Sequence, residues 1–288
     1  MGDSTTARTP EPPTTQAELL YQAQKRKELH FRANVALSWF VLLLILVVIF
    51  SGQKIKLGGG ENGLVFQTIK IDTQFIADNM IFIAGGLGET IRISLLAITF
   101  ATILALLAAL GRLSTIPPVY ALSTFYVSLI RGTPLYLQIF FFFLALPQLG
   151  IILPGLWAGV IALGLNYGAY MSEIFRAGLA SVGKGQREAA IAVGMTPGQT
   201  MMRIVLPQAM RFAIPPTGNE FIAMTKDSAL VAATGFVHEL MWRAVKVGRA
   251  QFHNLEALIM AAIFYWVMTI LLSYLQSRLE VSLSKGDR

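Results

Sequence analysis

KGQREAAIAVGMTPGQTMMRIVLP, residues 184–207, is a polar, glycine-punctuated segment set between two long apolar runs. Glu188, Ala189 and Ala190 favour a helix, Gly194 offers a stop, and Thr196-Pro197 can start a second helix. This spacing predicts a short helix–turn–helix in a loop at a membrane surface. Ala189 and Ala190 are small enough to permit close approach to a receiving groove, and Gly194 permits a tight turn. Spacing alone leaves two readings open, a docking element or a plain polar turn.

The chain outside this segment is unusually apolar. Of its 288 residues, 55% are hydrophobic and 14% charged, where a soluble domain carries about a quarter charged residues. Several runs reach the ~20 apolar residues that a membrane-crossing helix needs. The expectation is an all-α polytopic membrane protein. The net charge of +7 then reflects lysines and arginines kept on cytoplasmic loops. With no aromatic–basic interleaving to form a platform, no nucleic-acid partner is expected. Cysteine is absent, which removes disulfides, thiolate metal sites and thiol nucleophiles. His238 and His253 are separated by basic residues, so no metal site is expected, and no hydrolytic triad or paired-carboxylate motif stands out.

The order Glu188-Ala189-Ala190, three residues, Gly194, nine residues, then Ile204-x-Leu206-Pro207 resembles the cytoplasmic loop signature of ABC importer permeases. Arg131-Gly132-Thr133-Pro134 and Leu165-Asn166-Tyr167-Gly168-Ala169-Tyr170, with Glu173 and Arg176, resemble the polar amino acid branch of that family. So do Gly185-Gln186, Pro207-Gln208-Ala209-x-Arg211, Gly218-Asn219-Glu220-Phe221 and Lys226-Asp227-Ser228. The resemblance runs from about residue 88 to residue 279 and leaves the first eighty or so outside.

In such proteins the loop is a coupling helix seated in a cleft of a separate ATPase. The resemblance therefore assigns ATPase coupling to Gly185, Gln186, Glu188, Ala189, Ala190, Gly194, Ile204, Leu206 and Pro207. It also implies two ATP-binding subunits, a second permease chain (identical or related), a solute-binding protein, and a polar amino acid as cargo. ATP and Mg would be bound by the ATPase, with no cofactor on this chain. Gly178-x4-Gly183-Lys184 nearly spells a phosphate-binding loop, but Gly185 replaces the hydroxyl residue that would ligand Mg, and an apolar helix precedes it where a strand is required.

Taken in order, residues 1–34 read as a cytoplasmic tail, disordered up to about residue 16 and helix-compatible from 17 to 32. Residues 35–50 read as an extra, uncleaved transmembrane helix, since no small-x-small cleavage site follows Phe50. Residues 51–84 form an external linker with a flexible break at Gly58-Gly59-Gly60. Residues 85–280 form the importer domain and residues 281–288 a cytoplasmic tail. Within the domain the spans are 85–111, 119–147, 153–180, 208–235 and 255–279, giving about six transmembrane helices and placing both termini inside a bacterial cytoplasmic membrane. The third span is expected to break at Arg131–Pro134. Pro215-Pro216 and Gly218 are expected to kink or unwind the fifth. Residues 238–254 read as an external amphipathic segment whose Arg243, Lys246 and Arg249 contact a partner or lipid headgroups.

Charges inside spans cost ~2.5–3.5 kcal/mol on insertion scales, so they normally face protein or water. Arg131, Thr133, Asn166, Tyr170, Glu173, Asn219 and Lys226 have the donors and acceptors that a zwitterionic amino acid needs, and Gly218-Asn219 offers unwound backbone for a midplane site. Structural pairing is the competing reading, with Glu173 and Arg176 at i,i+3 as an ion pair. An ion-gradient-driven secondary transporter would use the same intramembrane charges, yet it has no need of an ATPase docking loop.

Overall fold

The computed structural model describes residues 16–57 and 64–284. The chain divides into two compact units, residues 1–72 and residues 73–288. The first unit contains α1 (Gln16–Ile49), an antiparallel hairpin of β1 (Lys54–Leu57) and β2 (Leu64–Gln67), and backbone hydrogen bonds that tie the hairpin base to the end of α1. From Leu37 to Ile49 the apolar side chains of α1 are exposed on every face, the pattern of a helix surrounded by lipid. The disordered tail expected up to residue 16 and the glycine break at 58–60 lie outside the described residues, bar the first residue of α1. The hairpin was not legible, because its two strands are only four residues each.

In the second unit α2 (Thr73–Ala84) and α3 (Leu87–Arg112) form one 40-residue helical path with a turn at Gly85-Gly86. At 1.5 Å per residue this path is roughly 60 Å long, twice the ~30 Å hydrocarbon core. Residues 73–84, expected in the linker, are thus part of the helical domain. α4 (Pro117–Arg131) and α5 (Leu135–Phe140) follow, bent by 104° at the Gly132–Pro134 break. The expected break is therefore present. α6 (Gly155–Ser181), α7 (Lys184–Ala192), α8 (Pro197–Thr200), α9 (Leu206–Asp227), α10 (Leu240–Gln251) and α11 (Asn254–Ser284) complete the unit.

Among the described residues, three helical stretches are long and apolar enough to cross a bilayer: Leu19–Ile49, Thr73–Arg112 and Asn254–Ser282. The bent α4–α5 pair makes a fourth if counted as one span. α6, 27 residues long, carries polar residues within its apolar run; Asn166 is buried, while Glu173 and Arg176 are partly exposed.

The core is the α3–α6 contact. Ala97, Ala101, Ala105 and Ala109 recur every fourth residue on α3, all fully buried. Small side chains let two helix backbones approach closely, which is how helices associate where lipid removes the hydrophobic driving force. Gly164 of α6 meets Phe100 of α3: a Cβ there would lie 2.3 Å from Cδ1 of Phe100. A second core gathers Phe75 and Ile83 of α2, Leu240 and Ala244 of α10, and Ala257, Met260 and Ala261 of α11.

Of the two outcomes expected of α9, a kink or unwinding, unwinding does not occur. It runs as continuous α-helix through Pro215 and Pro216, and Gly218-Asn219 is not unwound. Proline removes an N–H and should leave carbonyls unpaired. Here Thr217 Oγ1 donates to the Ala213 carbonyl at 2.8 Å, and Gln276 Nε2 of α11 donates to the Pro215 carbonyl at 2.7 Å. These are additional bonds beside the prolines; the carbonyls that Pro215 and Pro216 leave without a helical donor are those of Arg211 and Phe212, four residues earlier.

α10 is fixed by its cap. The buried Glu239 carboxylate accepts from the N–H groups of Met241 (2.8 Å) and Trp242 (2.6 Å) and from Tyr265 Oη (2.8 Å), so α10 and α11 are tied together. Burial raises the Glu239 pKa above the ordinary carboxylate range, opposed by those hydrogen bonds. The group therefore favours folding below the ordinary carboxylate pKa, and that contribution is lost as pH rises through its raised folded-state value.

Two outcomes are expected from thermal melts of the purified protein in detergent. Gly164→Ala should lower Tm, since overpacking a tight contact costs ~1–3 kcal/mol, whereas Gly88→Ala, where an added Cβ meets nothing within 4 Å, should not. Between pH 4.5 and 7.5, the Tm difference between wild type and Glu239→Gln should shift against wild type as pH rises. A pH-independent difference would show that Glu239 stays charged in the fold.

Candidate functional site

The loop read from the sequence is a two-helix knob. α7 ends in a Schellman motif: the Met195 N–H reaches the Ala190 carbonyl at 3.0 Å and the Gly194 N–H reaches that of Ile191 at 2.9 Å. Gly194 takes φ +80°, the left-handed region that only glycine occupies without cost. Thr196 then starts α8 through a capping box, with its Oγ1 accepting from the Gln199 N–H (3.3 Å) and its own N–H donating to Gln199 Oε1 (2.9 Å). The chain continues through a π turn, Met201–Val205, into α9. Arg187 donates to the Leu179 carbonyl at 2.7 Å, securing α7 to the end of α6.

The knob has two sides. Lys184, Gly185, Gln186, Glu188 and Ala189 are exposed, and so are Ile191 (62%), Val193 (77%) and Met202 (65%). Ala190 is buried, while Ile204 and Leu206 are half-buried and Leu206 packs on the main core. Pro207 is exposed in the first turn of α9. Ala190, Ile204 and Leu206 thus anchor the knob, and the glycine, glutamate and alanine positions face outward. Sequence reading passed over Ile191, Val193 and Met202, whose signal was apolar residues inside an otherwise polar loop.

The intramembrane candidates fall into separate places. Glu173 of α6 is the centre of one. Its Oε1 accepts from Arg112 at the end of α3 and lies 3.6 Å from Arg131 at the end of α4; its Oε2 accepts from Arg176 at 2.8 Å. The expected Glu173–Arg176 pair is present, joined by two further arginines. The Arg131 guanidinium lies 5.0 Å from the Tyr170 ring centroid, over its face. Arg112, Thr124, Val127, Ser128, Arg131, Gly132, Tyr170 and Glu173 line an open cavity of about 390 Å³.

Thr133 and Asn166 belong to a different network, centred on Gln138. Gln138 Nε2 donates to the Ile130 carbonyl (2.9 Å), the Thr133 carbonyl (3.2 Å) and Thr133 Oγ1 (2.9 Å), and Gln138 Oε1 accepts from Asn166 Nδ2 at 3.2 Å. This network satisfies backbone groups at the α4–α5 break. Asn219 and Lys226, both exposed on α9, are outside the cavity lining and the Gln138 network. Asp227, beside Lys226, accepts from Tyr167 Oη at 2.8 Å. Arg112, Thr124 and Gln138 were not among the sequence candidates. Arg112 reads only as a charge at a helix end, and a lone Gln138 in the apolar run after Pro134 was the one available hint.

The family described as "Binding-protein-dependent transport system inner membrane component" matches residues 101–285. Among curated proteins, the arginine transport system permease protein ArtQ of Bacillus subtilis (strain 168) is 40% identical, over 72% of this chain and 94% of its own length. The L-cystine transport system permease protein TcyB of the same organism is 42% identical, over 70% of this chain and 87% of its own. Among solved structures, the crystal structure of an amino acid ABC transporter with histidines superposes with a TM-score of 0.69 at 36% identity, over 74% of this chain and 100% of that one. The MetNI methionine ABC transporter, at 17% identity and a TM-score of 0.60, shares the fold. The chain is a multi-pass membrane protein that belongs to the binding-protein-dependent transport system inner membrane component family.

Proposed function

We propose that this chain is the membrane-spanning subunit of an ATP-driven importer of polar amino acids in a bacterial cytoplasmic membrane. The knob at residues 184–207 docks on the ATPase, which binds ATP and Mg. Two ATPase subunits, a second permease chain (identical or related) and a solute-binding protein complete the assembly, and both termini of this chain face the cytoplasm. The relatives whose names specify arginine and cystine transport support the substrate class. Their binding-protein-dependent family weighs against an ion-gradient-driven carrier.

One observation carries the coupling role. Two capped helical pieces hold Ile191, Val193 and Met202 in water, an arrangement that stabilises nothing within the chain and suits a partner's apolar cleft. The knob performs no bond chemistry. It transmits closure of the ATPase pair to α6 and α9, the helices on either side of it. Arg131, Tyr170 and Glu173 are assigned to the substrate pathway through the cavity they share, and Thr133, Asn166, Asn219 and Lys226 are kept as pathway candidates from their chemistry.

The test is a pull-down of the full-length chain from detergent, followed by uptake assays in vesicles. A stoichiometric ATPase should copurify and be lost when Glu188 and Gly194 are both changed. Aspartate tolerates the left-handed region better than most residues, so Gly194→Asp chiefly places a charge next to the exposed Val193. Desolvating that charge in the cleft should lower ATP-driven uptake at least roughly tenfold at unchanged levels of folded protein. Unchanged uptake would remove the coupling role.

A further inference from the structure

The cavity between α3, α4 and α6 carries more charge than its own residues neutralise. Of the residues that line it, Arg112 and Arg131 face the single carboxylate of Glu173, an excess of one positive charge, and Arg176, outside the lining, binds the same carboxylate. No other carboxylate lines the cavity. Excess charge of one sign in a low-dielectric, partly enclosed site attracts a counter-ion.

A second observation points the same way without relying on charge. Thr124 Oγ1, on the cavity wall, is shut off from bulk solvent and has no hydrogen-bond partner among the described residues. Buried hydroxyls are nearly always paired, so an orphan beside a cavity marks a place for a ligand or a bound water. Ser128, one helical turn further along α4, lines the same wall.

The three arginines are not equally held. Arg112 and Arg176 hydrogen-bond to Glu173, whereas Arg131 stands 3.6 Å from it with its side chain 42% exposed. Arg131 therefore commits no hydrogen bond to Glu173 and keeps its fork of donors for a ligand. Guanidinium recognises a carboxylate through paired N–H donors in a fixed fork. A volume of about 390 Å³ falls in the ~300–1,000 Å³ range of small-molecule sites.

We propose that this cavity is an oxyanion site that takes the α-carboxylate of the transported amino acid, held by Arg131 and by the hydroxyls of Thr124 and Ser128, with Arg112 closing the far side. The inference rests on the amino acid reading above and adds which half of the molecule the cavity recognises. Because the α-carboxylate is common to all amino acids, the site selects the class, and side-chain selection falls to other groups. Glu173 is saturated by arginine and serves to position the guanidiniums, not to accept the ligand's ammonium group.

The experiment uses the full-length chain, with whatever subunits copurify, in nanodiscs of zwitterionic lipid. Binding of L-arginine and L-glutamine is compared with binding of argininamide and glutaminamide, which lack the carboxylate. A charge-assisted hydrogen bond contributes ~1.5–3 kcal/mol, so wild type should prefer the acid over the amide roughly ten- to hundredfold for at least one pair. Arg131→Gln should erase that preference, Arg131→Lys should keep part of it, and the isosteric Thr124→Val should reduce it. The preference surviving in both Arg131→Gln and Thr124→Val overturns the proposal, as does its absence from wild type. If phosphatidylglycerol in the nanodisc abolishes the preference, the cavity belongs to lipid headgroups and the amino acid assignment fails. ATP-driven uptake, measured in parallel, separates the two readings. Intact uptake without the preference sinks the cavity assignment alone, and no uptake of any amino acid sinks the importer reading with it.

Discussion

The attachment of Glu173 to three arginines is the constraint on which the helical unit depends. Charged side chains among membrane-spanning helices normally face protein or water, and these four are one another's partners. Their positions make the pairing architectural as well. Arg112 is the last residue of α3 and Arg131 the last of α4, so both helix ends are drawn to one point on α6. A cation in the last turn also meets the negative end of its helix dipole. The alanine ladder of α3 sets how closely α3 and α6 approach, and the arginines set where along α6 the neighbouring helices stop.

The break in the third span is set by Pro134 and held by Gln138. α4 cannot continue through Thr133-Pro134, because proline disfavours helix at the preceding residue, and the chain turns by 104°. The carbonyls exposed by that turn would be unpaired in lipid. Gln138 satisfies two of them and is itself held by Asn166 of α6. Arg131 on one side of the turn and Gln138 on the other are thus both fastened to α6. The bend is a fixed feature of the bundle, supported at two points, and its inner side opens onto the cavity.

How much of this was legible follows from what is local. The apolar runs, the break at Gly132–Pro134, the stop at Gly194 and the Thr196 cap each depend on residues within four positions of one another, so the sequence displays them directly. The spacing of Glu173 and Arg176 shows one ion pair for the same reason. Arg112 and Arg131 reach Glu173 across 61 and 42 positions of sequence, and periodicity has nothing to say about such contacts. That Gly218-Asn219 stays helical has no local sign either, since Gln276, which packs against Gly218 and donates to the Pro215 carbonyl, sits on α11. α2 was assigned to a linker because its polar Thr73, Gln74, Asp78 and Asn79 interrupt the apolar pattern, although Asn79 is buried and donates to the Phe75 carbonyl.

The two features tied to function share one element. α6 carries Glu173 and Tyr170 at the cavity, and its last turn receives Arg187 of the knob through the Leu179 carbonyl. From Glu173 to the end of α6 at Ser181 is eight residues, roughly 12 Å along a helix. On its other side the knob runs without a loop into α9, which packs against α6 through Ala209 and Ala213 in the same core. Close-packed helices respond to a displaced neighbour by discrete repacking, not by bending smoothly. A partner that moves the knob must therefore move the end of α6 relative to the arginines donated by α3 and α4. Of those contacts the Arg131–Glu173 pair, at 3.6 Å the longest, has the least to lose. The point where the cavity has donors to spare is the point where the bundle is easiest to open.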